Sequence, residues 1–177
     1  MQFNHAVCKL CEKGGNTIQY KLRMADVVVC KHCGFHYTTY LDDEYEPASA
    51  HSNKKDLDPK TVQYIQNNLQ SNPHRFERHV ALVESFLTPP SRIMDVGFGG
   101  ALFLTTILKK GYEAWGIELD QQYLLYAEQV LHLNHIYDKP VQDAFWKAHA
   151  GSMQGVVLWD VLEHVNHPRI FVQAAAN

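Results

Sequence analysis

The sequence predicts an α/β protein in which a parallel sheet alternates with helices and follows a small β-rich module. Two stretches carry that expectation. In Arg92-Ile93-Met94-Asp95-Val96-Gly97-Phe98-Gly99-Gly100-Ala101 a short apolar run ends in an acid and enters a glycine-rich turn, and the helix-like run Leu102 to Lys110 follows. A strand, a tight loop and a helix N-terminus in that order can hold a nucleotide-like ligand against backbone N–H groups. The second stretch is the N-terminus, where all four cysteines fall within the first 33 residues.

The chain of 177 residues is long enough for one good core and a small appendage. Its 46% hydrophobic and 20% charged residues are those of an ordinary globular protein, and a formal charge of −3 offers no overall attraction to nucleic acid or an anionic membrane. The apolar runs Val27-Val28-Val29 and Val156-Val157-Leu158-Trp159 are too short to span a bilayer. Met1-Gln2-Phe3-Asn4-His5 lacks the charged-then-apolar layout of a secretory signal, so a cytoplasmic location is expected.

Cys8-Lys9-Leu10-Cys11 and Cys30-Lys31-His32-Cys33 form two Cys-x2-Cys pairs separated by 18 residues. Two residues between thiolates let one tight turn aim both sulfurs at a single ion, and two such turns supply the four-sulfur shell that structural zinc prefers. Thr17 to Arg23, Asp26 to Val29 and Phe35 to Leu41 read as strands around these turns, so residues 1–41 resemble a zinc ribbon. Four sulfurs complete the shell, which leaves His32 and His36 as surface residues and the metal as structural. The alternatives are four reduced thiols or a redox pair. Residues 1–40 carry a formal +3, and four thiolates around a divalent ion reduce this to about +1. That is too little for a phosphate-backbone footprint, so a substrate-side lid or a protein contact is the expected role.

Residues 42–58 are poor in apolar side chains and rich in turn formers, and read as a linker. Val62, Ile65 and Leu69 then share one face of a helix starting near Pro59, which Asn72-Pro73 breaks. Phe76, Val80, Val83 and Leu87, with Leu82 and Phe86 beside them, make a second amphipathic helix ending before Pro89-Pro90. Both helices are expected to cover the sheet.

Beyond the glycine loop, the helix to Lys110 closes at Gly111, a suitable left-handed cap. Ala114-Trp115-Gly116-Ile117-Glu118 is a second strand ending in an acid about 20 residues past the first glycine, the order of a Rossmann-type half. A carboxylate there can accept both hydroxyls of a ribose. The dinucleotide fingerprint started at Gly97 needs Gly or Ala at 102, where Leu102 stands, and no Gly-Lys-Ser/Thr phosphate loop is present.

Asp95, Gly97 and Gly99, with Ala101 in place of a last glycine, resemble the Asp-x-Gly-x-Gly-x-Gly motif of class I S-adenosylmethionine-dependent methyltransferases. That ligand carries no phosphates, and its ammonium and sulfonium charges suit an acid at Asp95. The resemblance continues through Gln121 to Leu133 as the next helix, His135 to Val141 as a third strand and Gly155 to Asp160 as a fourth. Leu162-Glu163-His164-Val165 followed by Pro168 is similar to the LEHV-x-x-P segment of ubiquinone- and menaquinone-biosynthesis methyltransferases. Ribbon-plus-methyltransferase chains are also similar to sugar C-methyltransferases. The resemblance implies that Asp95, Gly97, Phe98, Gly99, Glu118, Leu119, Asp143 and Asp160 contact S-adenosylmethionine. It also implies that Glu163 and His164 serve catalysis on a small-molecule substrate, His164 as a general base or Asp160, Glu163 and His164 together as ligands of a divalent metal on one helical turn. Alternatively Glu163 and His164 only shape a loop, and Asp143 is a turn residue.

On this resemblance residues 59–177 are a partial methyltransferase domain holding the first four parallel strands, with further strands or a partner chain expected to cover the open sheet edge. Two other readings compete. One is a non-catalytic binding module on a Rossmann half; the other, an NAD-dependent oxidoreductase, is disfavoured by Leu102 and Asp95.

Overall fold

The computed structural model describes residues 6–23, 25–39, 56–72, 74–141, 143–165 and 167–177. By contact the chain divides into two compact units, Met1–Glu46 with Asp160–Ala176, and Pro47–Trp159 with Asn177. Most of the expected linker, residues 42–55, lies outside the described residues, as do Leu41 and Pro73.

In the first unit, β1 (Asn16–Lys21), β2 (Asp26–Cys30) and β3 (His36–Thr38) form an antiparallel sheet in the order β1-β2-β3. Its small core is Cys8, Val28, Cys30 and Tyr37, with Leu10, Cys11 and Phe35 packed alongside. So little apolar area cannot hold so short a sheet by burial alone, which gives a cross-link between the cysteine turns a structural task. The same unit contains a 3-10 turn, Leu162–His164, and the helix α6 (Pro168–Ala175); helices in the chain before it are numbered α1 to α5 below.

The second unit opens with α1 (Pro59–Ser71), which Asp58 caps by accepting from the Lys60 N–H at 2.9 Å. The Asp58 N–H in turn donates to the side-chain oxygen of Gln122 at 2.7 Å, so the start of α1 is tied to a residue 64 positions later. Ile65 is the buried residue of α1. It reaches the glycine loop, where a β-carbon added at Gly100 would lie 3.1 Å from its Cγ2. Thus α1 backs the loop. The second helix, α2 (Glu77–Glu84), is shorter than its apolar pattern suggests; Val80 and Val83 are buried, whereas Phe86 lies beyond the helix and is 80% exposed.

The sheet of this unit is parallel and four-stranded, β4 (Arg92–Val96), β5 (Glu113–Ile117), β6 (Ile136–Tyr137) and β7 (Gly155–Val157), in the order β6-β5-β4-β7. Each right-handed β-α-β step needs a crossover, and the glycine loop with α3 (Leu102–Lys109) supplies that between β4 and β5. Gly111 closes it at φ +89°. The next helix, α4 (Gln121–Gln129), ends before the expected Leu133, and His132 stands at φ +54°. The third strand shrinks from the expected His135 to Val141 to a residue pair. A short helix not foreseen in the sequence, α5 (Ala144–Ala148), follows it. The fourth strand stops at Val157 rather than Asp160, whose φ of +54° is incompatible with an extended chain.

Central β4 is the most buried strand, with Ile93, Met94, Asp95 and Val96 at most 4% exposed. Phe98, Phe103, Leu104 and Ile107 pack the core from the loop and α3. The fit is tightest at Gly116 of β5, where a β-carbon would come within 2.6 Å of Phe98 and 2.7 Å of Leu104. Gly116→Ala should therefore destabilise this unit by about 1–3 kcal/mol through overpacking, read as a lowered urea midpoint with an unchanged slope. An unchanged midpoint would show that Phe98 is free to move aside.

Candidate functional site

Strand β4 ends at Asp95-Val96, and the chain must turn at once to enter α3. Gly97, Gly99 and Ala101 make this turn at φ +77°, +51° and +57°, the left-handed region that glycine enters without penalty. Ala101 is the first residue before α3 and is fully buried, so a methyl group occupies a left-handed position that typically costs about 1–2 kcal/mol. The mild departure from the glycine motif at this position is therefore a strained one.

The N–H groups of the loop point inward. Gly97 and Phe98 donate to the Ile117 carbonyl at 2.7 and 3.3 Å, and Ala101 donates to Phe98 at 2.9 Å. The Gly99 N–H donates to the Glu118 carboxylate at 2.8 Å. The other Glu118 oxygen accepts from Leu119 and Asp120 at 2.8 and 2.9 Å. A phosphate cradle requires these donors to face a ligand; here they tie the turn to the carboxyl end of β5. The Gly97, Phe98, Gly99 and Ala101 donors of the expected ligand-holding loop are thus engaged within the protein. What the loop presents is an acid-lined turn, beside which a β-carbon at Gly99 would find open space.

Asp95 is the unusual group. It is 2% exposed, and its Oδ1 has no hydrogen-bond partner. Burial, and then the negative charge of Glu118, push its carboxyl up to about 8. Burial also raises Glu118, against the opposing pull of the N–H groups that donate to it. Two acids at adjacent strand ends with one buried oxygen unmatched suit a ligand that brings donors or positive charge.

The remaining expected cofactor residues separate. The Phe98 side chain is part of the core and can serve a ligand only through its backbone. Leu119 donates its N–H to Glu118. Asp143 caps α5, accepting from the Phe145 N–H at 2.8 Å. Asp160 is exposed and belongs to the other unit, as do Glu163 and His164. The expected single helical turn carrying these three is corrected: the 3-10 turn begins at Leu162, and Asp160 lies before it with left-handed backbone. Glu163 and His164 are exposed, and among the described residues this trio forms no group with converging ligand atoms.

Sequence reasoning missed two features. Buried Gln122 joins α4 to the start of α1 and donates to the Asp56 carbonyl at 3.2 Å. Trp159, at the same carboxyl end of the sheet as Asp95, meets His79 at 4.3 Å and Phe103 at 5.6 Å between ring centroids. Its Nε1 and the Nδ1 of His79 are buried without a hydrogen-bond partner. No local pattern announces either feature, because both are contacts between residues far apart in the chain.

In the first unit the four cysteine sulfurs lie within 4.8 Å of one another, with Cys8 to Cys33 at 3.7 Å and Cys11 to Cys30 at 3.6 Å. A tetrahedron of zinc–sulfur bonds of about 2.3 Å has edges of about 3.8 Å, so the spacing fits zinc. None of the four is in a disulfide. The Leu10 and Cys11 N–H groups donate to Cys8 at 3.4 and 3.5 Å, and His32 donates to Cys30 at 3.4 Å. Donation from the Cys33 and His32 backbone brings the Cys30 thiol down to about 6, whereas burial raises Cys8, and burial with the neighbouring thiols pushes Cys33 up to about 12. His32 and His36 are exposed and outside the cluster. Among the described residues no helix is long and apolar enough to cross a membrane.

A parallel sheet with a glycine turn after its central strand and an acid at the end of the neighbouring strand is a Rossmann-like arrangement. A family model described as a methyltransferase domain matches residues 63–177, and the chain belongs to that family. It is similar to the ubiquinone biosynthesis O-methyltransferase of Cronobacter sakazakii, 30% identical over 90 residues that cover 48% of this chain and 36% of that protein. The proteins of the same description from Psychrobacter cryohalolentis and Psychrobacter arcticus are each 34% identical over 92 residues, covering 47% of this chain and 34% of theirs. The matched stretch thus spans about a third of the length of these relatives.

Because the folded state holds the Asp95 proton more tightly than an unfolded carboxyl does, its contribution to stability is complete below about pH 4. It declines as pH rises towards about 8. The second unit should lose urea resistance across that window, and Asp95→Asn should flatten the profile. A variant with the same slope as the parent would mean that Asp95 ionises normally.

Proposed function

We propose that this chain is the cofactor-binding part of an S-adenosylmethionine-dependent methyltransferase that methylates an oxygen of a small molecule. Asp95 carries the reading: a buried carboxyl with an unmatched oxygen stands at the end of β4, beside a loop in which the Gly97, Phe98, Gly99 and Ala101 N–H groups are engaged. Such a site repels phosphate and welcomes a cation, which argues against NAD. Family membership and the relatives' names support the same choice.

The cofactor, when bound, supplies an activated methyl group, so the protein has only to bind, orient and exclude water. Asp95 would face the positive end of the ligand. Glu118, with three N–H partners and capacity for a further one, would accept a ribose hydroxyl. Gly97 and Gly99 keep the turn free of side chains, and Leu119 would flank the base. Asp143, already engaged as a cap, is left as a turn residue with at most a peripheral contact. His164 is the candidate base for a hydroxyl acceptor, with Glu163 beside it; both are exposed. The half-buried, apolar edge strand β7 would be covered by further strands or a partner chain.

For the N-terminal unit the proposal is a structural zinc ion held by Cys8, Cys11, Cys30 and Cys33, which replaces the core that so small a sheet lacks.

Calorimetric titration with S-adenosylhomocysteine should show saturable binding, and Glu118→Ala should weaken it by about 1–3 kcal/mol. Tight NAD binding with no response to the homocysteine compound would overturn the reading. Metal analysis of the purified chain should find about one zinc per chain, lost in Cys30→Ser. A folded N-terminal unit without metal would refute the zinc assignment.

A further inference from the structure

The first unit joins segments far apart in the chain. Residues 160–176, which carry Glu163, His164 and α6, belong to the same compact body as the cysteine module. One ionic contact between them is resolved: the guanidinium Nη1 of Arg169 donates to the Glu12 carboxylate, across a separation of 157 residues.

The two ends of this contact are placed by different means. Glu12 directly follows Cys11 and stands at φ +60°, and its N–H closes the first cysteine turn on the Cys8 carbonyl at 3.0 Å. Its position is therefore a consequence of the turn that aims Cys8 and Cys11 at one point. Arg169 is in the first turn of α6, next to Pro168, which is fully buried and seats the start of the helix. A cation in a helix's first turn opposes the macrodipole, whereas a carboxylate brought there favours it. Arg169 by itself is poorly placed; Arg169 holding Glu12 is well placed.

We infer that Arg169 and Glu12 are positioning residues that fasten the Asp160–Ala176 segment to the first metal turn, so that metal loading of the four cysteines sets the order of the segment carrying Glu163 and His164. The inference rests on the zinc reading above. With the turn loaded, Glu12 is held where Arg169 can reach it. With the metal removed, the turn loses its fixed conformation, and the segment loses one of its anchors. The cysteine module then does more than close its own small core.

Hydrogen–deuterium exchange on the full chain, followed together with zinc content, tests this. Exposed ion pairs are weak, so Glu12→Gln, which removes the partner without changing the charge of the first turn of α6, should speed exchange in residues 160–176 by roughly two- to fivefold. Zinc content should stay at the parent level, with exchange around Asp95–Ala101 unaltered. Arg169→Gln should speed exchange likewise, and adding Glu12→Gln to it should change nothing further, a coupling that a purely local helix effect would not produce. Removal of zinc by a chelator should speed exchange in the same segment by at least as much. If zinc is bound but neither Glu12→Gln nor chelation changes exchange in residues 160–176, the inference is overturned while the zinc assignment stands. If the parent chain holds no metal, the zinc assignment fails, and the proposed metal control fails with it.

Discussion

The second unit depends on one carboxylate. Glu118 receives the N–H groups of Gly99, Leu119 and Asp120, and so binds the glycine turn, the end of β5 and the approach to α4 into one piece. Each bond alone is modest, but a charged acceptor strengthens all of them, and the partly buried setting limits competition from water. Around that knot the packing has little freedom. Phe98 fills the space that Gly116 leaves, Ile65 closes on Gly100, and α3 starts at the buried Ala101.

The same knot explains the chemistry at Asp95. Because the neighbouring carboxylate consumes the Gly99 donor, Asp95 is left with an oxygen that nothing satisfies and with an acid nearby. Burying a charge without a partner is expensive, so the proton stays on until something positive arrives. That electrostatic setting favours a positively charged group over an anion.

The two units use opposite strategies. Around β4 an apolar core supplies stability, with Phe103, Ile93, Leu104 and Ile107 essentially sealed from water. The cysteine module has only a handful of buried side chains, two of them the sulfurs of Cys8 and Cys30. Four sulfurs lie there at a spacing that fits zinc, and the first cysteine turn also positions Glu12, whose partner lies in α6.

Much of the fold was legible in the sequence because its signals are local. The Cys-x2-Cys turns, the glycines at positive φ, the acids closing β4 and β5 and the apolar period of α3 each follow from constraints within a few residues. Local constraints suffice there because a turn radius, a left-handed φ or a helix face is decided by adjacent atoms. Where the answer lay in contacts between distant residues, sequence alone misled or was silent. It sent the loop N–H groups towards a ligand, whereas Ile117 takes those of Gly97 and Phe98 and Glu118 takes that of Gly99. It put Asp160, Glu163 and His164 on one helical turn, whereas the chain leaves β7 through a left-handed residue. It had no means of pairing Gln122 with Asp58, His79 with Trp159 or Glu12 with Arg169. Which donor meets which acceptor depends on the closed fold, because burial makes an unpaired polar group costly only after the chain has come together.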